Sequence, residues 1–455
     1  MSKEEQCKNF IQEPSVENTV AKSLETPFFS RGDWPKAEWW EFFESQQLNE
    51  MVKQAFAHNP SIQAVQQRIE LAKEVAKSAR SKLYPLVYFD PDATWEIVSK
   101  QGLERAYNPH FPKTAQIIDL TLSFTYEFDF WDKYRNLFRA ALSVEQAETA
   151  ELAQSKLITA ASVAKTYFAL RTNLAKEKIY QSLLDVRKKL FLLRKLLLEG
   201  SLNDLRIVLL SEERAEEAEQ WLLAIEEEIA IDRHLINILM GKGPDDPLEV
   251  EPFLPHLSSQ LVIPDTLSLD LLSRRPDLMA QLWRVESLAH EVGAARANFF
   301  PAINLASIVG LSSTIYNLLF YPSSFEGNLT PSISLPVYTA GDIQAKLDTK
   351  RAEYQAAVFV YNDLILKSAQ EVVNALVFAR TVYGQKQEQI SIVRQAALRF
   401  DLSELRLKSG LDNALITLEQ KEEVLQKELE LMDLAYEGYA AAIALIKSVG
   451  GGYNK

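Results

Sequence analysis

Apolar and polar positions follow two periods along this chain, and the switch between them divides it into elements. From residue 120 to 130 the run LTLSFTYEFDF places Leu120, Leu122, Phe124, Tyr126, Phe128 and Phe130 on one parity. Thr121, Ser123, Thr125, Glu127 and Asp129 share the other. Eleven residues of clean period-two alternation match a membrane-barrel strand with lipid on one face and water on the other. A soluble antiparallel sheet produces the same pattern. Residues 332–338 also alternate, with Pro336 near their end, and residues 86–98 and 302–312 are the expected partner strands. Loops at about 99–115 and 313–330 would join each pair.

Elsewhere the period lengthens to that of a helix. Helices are expected over 47–58 and 61–83. Residues 133–199 contain neither proline nor glycine, which gives a helix of roughly 100 Å at ~1.5 Å per residue. That run breaks at Glu199-Gly200-Ser201-Leu202-Asn203-Asp204, and a helical return covers 204–240. The plan recurs. Residues 343–408 hold a single glycine, Gly384; the break is Ser409-Gly410-Leu411-Asp412-Asn413, and the return over 414–447 holds only Gly438. Patterns far longer than about 25 residues argue for coiled-coil or tubular packing. Ala140, Ala141, Ala147, Ala150, Ala153, Ala160, Ala161 and Ala164 permit close helix approach. Residues 241–273, rich in proline and without period, read as a strap between the halves. One competitor remains: residues 297–325 carry no charge over 29 positions, enough for a transmembrane helix, although Pro301, Gly310 and Pro322 interrupt it.

An internal repeat organises these elements. NPSIQAVQQRIELAKEVAKSARSKLYP, from Asn59, aligns without a gap on RPDLMAQLWRVESLAHEVGAARANFFP, from Arg275. Pro60/Pro276, Ala64/Ala280, Arg68/Arg284, Glu70/Glu286, Ala79/Ala295, Arg80/Arg296 and Pro85/Pro301 coincide. The fold is therefore one unit used twice. The expected division is an extended segment 1–46, a first repeat 47–240, the strap 241–268, a second repeat 269–447 and a tail 448–455.

Composition removes several function classes. The net charge of −13 over 455 residues lacks the basic stripe of a nucleic-acid binder. His58, His110, His234, His256 and His290 are dispersed, with no HExxH, paired CxxC or phosphate loop, so no catalytic residue, metal site or cofactor is expected. The single cysteine, Cys7, forbids an intrachain disulfide. The start MSKEEQC lacks the apolar core of a signal peptide. Read literally it is cytoplasmic; the alternatives are a misassigned start or a chain that begins close to its mature end.

Four strands cannot close a barrel, for which about eight is the practical minimum. If they lie in lipid, open edges are forbidden and several copies must share one barrel. Three copies give twelve strands. The competing architecture is a soluble, elongated coiled-coil scaffold carrying two β-hairpins.

At this point the chain resembles the TolC-like outer-membrane efflux factors, in the lipoprotein branch that serves tripartite multidrug or metal pumps. The resemblance covers nearly the whole chain. It rests on Trp39-Trp40-x-x-Phe43, the Leu48-Asn49 to Asn59-Pro60 approach, Phe128-Asp129-Phe130-Trp131, and Leu271-Leu272-x-Arg274-Arg275-Pro276-Asp277. It rests also on Ala294-Ala295-Arg296-Ala297-x-Phe299-Phe300-Pro301 and the closing Gly450-Gly451-Gly452-Tyr453. The resemblance implies an α+β membrane protein and a homotrimer, with a twelve-stranded β-barrel in the outer-membrane lipid and an α-barrel of long antiparallel hairpins in the periplasm. The hairpin tips, at Gly200 and Gly410, would engage a periplasmic adaptor (membrane fusion) protein and an inner-membrane pump.

The resemblance also implies site residues. A pore gate just beyond the second tip would place Leu415 in an apolar ring and Glu419 in a carboxylate ring, where the family usually has aspartate. The alternative for Glu419 is an ordinary solvated glutamate beside Glu422 and Glu423. In the first hairpin the family's acidic-polar run is replaced by Leu205-Arg206-Ile207-Val208-Leu209-Leu210. Cys7 matches the acylated cysteine that opens mature lipoproteins of this branch; otherwise it is incidental.

Overall fold

The repeat is carried through element by element. The structure, a computed structural model, describes residues 15–99, 101–252, 261–264 and 274–453, so that Cys7, Leu271 and Leu272 lie outside it. In chain order the elements are α1 (Glu17–Leu24), β1 (Phe29–Gly32), α2 (Gln46–His58), α3 (Pro60–Ser81), β2 (Leu86–Ile97), α4 (Leu103–Tyr107), β3 (Thr114–Phe128), α5 (Lys133–Glu199) and α6 (Leu205–Leu239). There follow β4 (Leu261–Pro264), α7 (Pro276–Ala297), β5 (Ala302–Ser313), β6 (Phe325–Ser334), α8 (Asp342–Lys408) and α9 (Ala414–Ser448). Helices α3 and α7 both have 22 residues, α5 and α8 both have 67, and α6 and α9 both have 35.

Two compact units cut across the repeats. One comprises Arg68–Glu148 and Gln281–Val360; the described parts of Phe10–Gln67, Thr149–Ala280 and Tyr361–Lys455 form the other. The first contains a four-stranded antiparallel sheet in the order β2-β3-β5-β6. The two expected hairpins are thus one sheet, joined where β3 pairs with β5 from Ile118↔Ser313 to Phe128↔Ile303. Three boundaries differ from the sequence reading. Strand β3 begins six residues earlier, at Thr114, and ends at Phe128, leaving Phe130 beyond it. Strand β6 covers Phe325–Ser334 instead of 332–338, because the ladder with β5 begins at Leu311↔Phe325. The uncharged stretch 297–325 is β5 with its following loop, and no helix among the described residues is long and apolar enough to cross a membrane. Period two decided over net hydrophobicity there.

The second unit is helical. Its two hairpins pack in the order α6-α5-α9-α8, and an aromatic plug consolidates them. Trp39, Trp40, Leu48, Met51 and Val52 are buried with Tyr167, Phe168 and Leu170 of α5, Ile225, Ile229 and Ile236 of α6, and Tyr439 and Ile443 of α9. Phe168 stacks on Tyr439 at 4.0 Å. The strap is not wholly irregular: β4 pairs in parallel with β1, from Phe29↔Leu261 to Gly32↔Pro264.

The repeat motifs have a structural cause at the ends of the returning helices. Asn59 caps α3 through Ser61 N–H and donates Nδ2 to the carbonyl of Leu239, the last residue of α6. Arg275, its repeat counterpart, donates Nη1 to the carbonyl of Ser448, the last residue of α9. Buried Arg275 is also held bidentately by Asp277 and by Glu371 at 2.8 Å. Burial opposes its charge, but these carboxylates outweigh burial and raise its pKa. Beyond these helices Gly241 (φ 74) and Gly450 (φ 94) turn left-handed against the carbonyls of His58 and Arg274. A Cβ there would stand 2.4 Å and 2.1 Å from the carbonyl oxygens, so only glycine closes the joint.

Candidate channel wall and hairpin tips

The strand register sorts the sheet into two faces. One carries Val87, Phe89, Pro91, Ala93, Trp95 and Ile97 beside Ile118, Leu120, Leu122, Phe124, Tyr126 and Phe128. It continues through Ile303, Leu305, Val309 and Leu311 to Phe325, Leu329, Pro331 and Ile333. All six charged residues of these four strands, Asp90, Asp92, Glu96, Asp119, Glu127 and Glu326, lie on the other face. Thr121, Ser123, Thr125, Asn304, Asn328 and Thr330 accompany them, with Leu86, Tyr88, Ile117 and Ile308 as its larger apolar members. On the apolar face Trp95 is 72%, Ile97 78% and Ile333 72% exposed. No water-filled setting favours that area; a bilayer does. Leu120, Leu122, Phe124, Tyr126 and Phe128 fall together on it.

The FDFW motif is the hinge between strand and helix. Phe128 closes β3, and the Asp129 carboxylate accepts from the backbone N–H groups of Tyr134 and Arg135, capping α5. Trp131 stacks on Phe300 at 4.7 Å and donates Nε1–H to the carbonyl of Pro301. Glu127, on the polar face, accepts from Lys133 Nζ at 2.9 Å and Tyr134 OH at 2.7 Å. The paired repeat arginines Arg68 and Arg284 both approach one carboxylate, Glu148, at 3.6 Å and 4.0 Å.

At the tips each long helix ends in the same six-residue hydrogen-bonded loop, with Leu202 N–H donating to Leu197 O and Leu411 N–H to Arg406 O. The left-handed residue is Gly410 (φ 71) in the second hairpin but Ser201 (φ 60) in the first. Gly200 sits in the first tip without supplying its turn. Asp204 and Asn413 cap the returning helices, accepting from Arg206 N–H and Ile416 N–H.

Leu415 packs beside a cluster of Leu183, Val186, Leu190, Leu425 and Leu429. Glu419 accepts from Arg194 of α5, whose other terminal nitrogen reaches Ser211 of α6. Within one chain both gate candidates therefore face α5. One turn further in, Glu422 is buried and accepts from Arg187 Nε at 2.8 Å. Arg187 also donates to the carbonyl of Arg214 and lies over the Trp221 ring at 4.6 Å. Sequence reasoning passed over this pair, because Arg187 stands beside Lys188 and Lys189 and nothing in the local pattern sets it apart.

These faces and hairpins define a class. The chain belongs to the Outer membrane efflux protein family, whose pattern matches residues 51–203 and 267–451. It is an efflux channel of the outer membrane. Among its relatives, the multidrug resistance outer membrane protein MdtQ of Escherichia coli is 26% identical over 449 residues, covering 96% of this chain and 93% of MdtQ. MdtP of Escherichia coli is 26% identical over 436 residues, covering 92% and 87%. The outer membrane protein VceC of Vibrio cholerae superposes with a TM-score of 0.82 at 28% identity, covering 92% of this chain and all of VceC. The outer-membrane channel OprN superposes with a TM-score of 0.85 at 22% identity, covering 97% and 98%, which shows the shared fold.

Proposed function

We propose that three copies of the chain form a passive exit duct for small molecules such as drugs or metals. The observation that carries this is the sheet. It has one apolar and one polar face, and among the described residues the outer edges of its end strands β2 and β6 carry no partner strand. A bilayer tolerates no open edge. Strand direction alternates along β2-β3-β5-β6, so β6 of one copy meets β2 of the next antiparallel, and twelve strands close the ring. Its lumen carries the carboxylate face.

The helical hairpins line the periplasmic part, with Leu415 and Glu419 as its gate and the tips as the docking point for an adaptor protein and its pump. Three like charges near one axis repel and attract cations, and Arg194 offsets that repulsion. Transport energy comes from the pump; the duct performs no catalysis. The resemblance to the lipoprotein branch supports Cys7 as an acyl anchor, each buried CH₂ adding ~0.8 kcal/mol of membrane affinity.

Chemical cross-linking of detergent-extracted membranes should give a trimer, and planar-bilayer recordings a conductance that rises in Glu419→Ala and Leu415→Ala variants. A monomer without conductance in every variant would sink the reading.

A further inference from the structure

Two cavities adjoin at the foot of the sheet. The upper, of about 380 Å³, lies where β3, β5 and β6 meet the first turns of α5 and α8. The lower, of about 320 Å³, lies between α5, α7 and α8. Lys133, Asn298 and Lys346 line both, so the two form one basin large enough for a drug-sized molecule. Strand parity tells on which side of the wall it opens. Glu127, Ala302 and Ser334 line the upper cavity, and all three belong to the polar face of the sheet. In a closed ring that face is the lumen.

The lining is sorted by chemistry. Trp131 and Phe300 stack on each other yet remain 44% and 42% exposed, giving the upper cavity an aromatic wall. Glu127 and Asp129 line the upper cavity and not the lower, which puts carboxylates at the sheet end. Lys350 joins Lys133 and Lys346 in the lower cavity, which puts ammonium groups at the helix end. The carboxylate of the lower cavity, Glu291, is held by Lys350 at 2.8 Å.

Both ends keep bonding capacity. A carboxylate accepts about four hydrogen bonds. Glu127 takes one from Lys133 and one from Tyr134, and Asp129 takes two from backbone N–H groups. Lys346 is held by Asp342, one turn back on α8, and that pair is 69% and 58% exposed. A solvated pair of this kind contributes little, so Lys346 turns to an incoming acid group at small cost. A ligand with a single charge leaves one end of the basin unmatched. One with both charges satisfies both.

Resting on the duct reading, we infer that this basin is a subsite for aromatic zwitterions in the wall of the lumen. The ring lies on Trp131 and Phe300, the ammonium group on Glu127 and Asp129, and the acid group on Lys346. Three copies place three such sites in one belt, at the entry to the carboxylate-lined barrel.

The test uses the full-length protein in lipid nanodiscs and three probes that share one ring: naphthylalanine, naphthylacetate and naphthylethylammonium. In calorimetric titration naphthylalanine should bind at least tenfold more tightly than either singly charged probe. Lys346→Gln should weaken naphthylalanine and naphthylacetate at least fivefold and leave naphthylethylammonium unchanged, while Lys346→Arg retains all three. In planar bilayers, naphthylalanine added on the sheet side should reduce the current of a Glu419→Ala channel, and do so less once Lys346→Gln is combined with it. Equal binding of the three probes, or none by naphthylalanine, overturns the inference. So does binding that Lys346→Gln leaves unaltered, and so does binding without loss of current, which puts the site outside the lumen. Each of these results leaves the trimer and its conductance standing. A parent protein that neither trimerises nor conducts overturns the duct reading, and this inference with it.

Discussion

Ser201 holds a backbone conformation that its repeat counterpart, Gly410, holds without a side-chain penalty. A left-handed non-glycine residue costs about 1–2 kcal/mol. Ser201→Gly should therefore stabilise the first hairpin by about 1 kcal/mol and Gly410→Ala destabilise the second similarly, both measurable as shifts in urea midpoint. Asp232 of α6 makes a pH prediction. Burial pushes its pKa up to about 6; the amide of Asn173 opposes and the charge of Glu228 adds to the rise. The unfolded chain releases this proton near 4 and the folded one near 6, so folding takes up a proton between those values. Its share of stability is greatest at and below pH 4 and is lost as pH rises through 6. Asp232→Asn should raise the melting temperature at pH 8 and leave it nearly unchanged at pH 4.5; equal shifts at both would refute the assignment. Arg187→Met should cost about 3–5 kcal/mol, because Glu422 would stay buried without its partner, and adding Glu422→Leu should recover most of that in thermal melts.

The elements carry a second layer of meaning. Period two made β3 legible, and the register confirms that its apolar parity joins the apolar parities of β2, β5 and β6. Leu122→Lys and Phe124→Lys should each cost roughly 2–4 kcal/mol in the bilayer, while Ser123→Lys on the polar face should be tolerated. Heat-modifiability on gels after membrane extraction reads this directly; greater damage from Ser123→Lys would invert the faces. The fourth strand was less legible. Gly327 and Pro331 dilute its alternation, while residues 332–338 alternate in isolation, so local pattern favoured the wrong end. Only pairing with β5 places it at Phe325–Ser334.

At the scale of the molecule, duplication explains why so many motifs come in pairs. Asn59 and Arg275 tie down the last carbonyls of α6 and α9, and Gly241 and Gly450 make the same close turn. The chemistry of the first joint differs from the second, an amide against a guanidinium, yet the geometry is kept. Family membership places this duplicated unit among outer-membrane efflux channels.

By itself the sequence determined the two periods, the lengths of the hairpins, the positions of their turns and the repeat, because each is written in residues near one another along the chain. It also marked which parity of β3 is apolar. Only the tertiary structure decided that two hairpins are one sheet, that β4 joins β1, that Glu419 meets Arg194, and that Glu422 is buried on Arg187. Periodicity says that a face needs cover; which distant residue supplies it depends on how α5 and α9, more than two hundred positions apart, come to lie side by side.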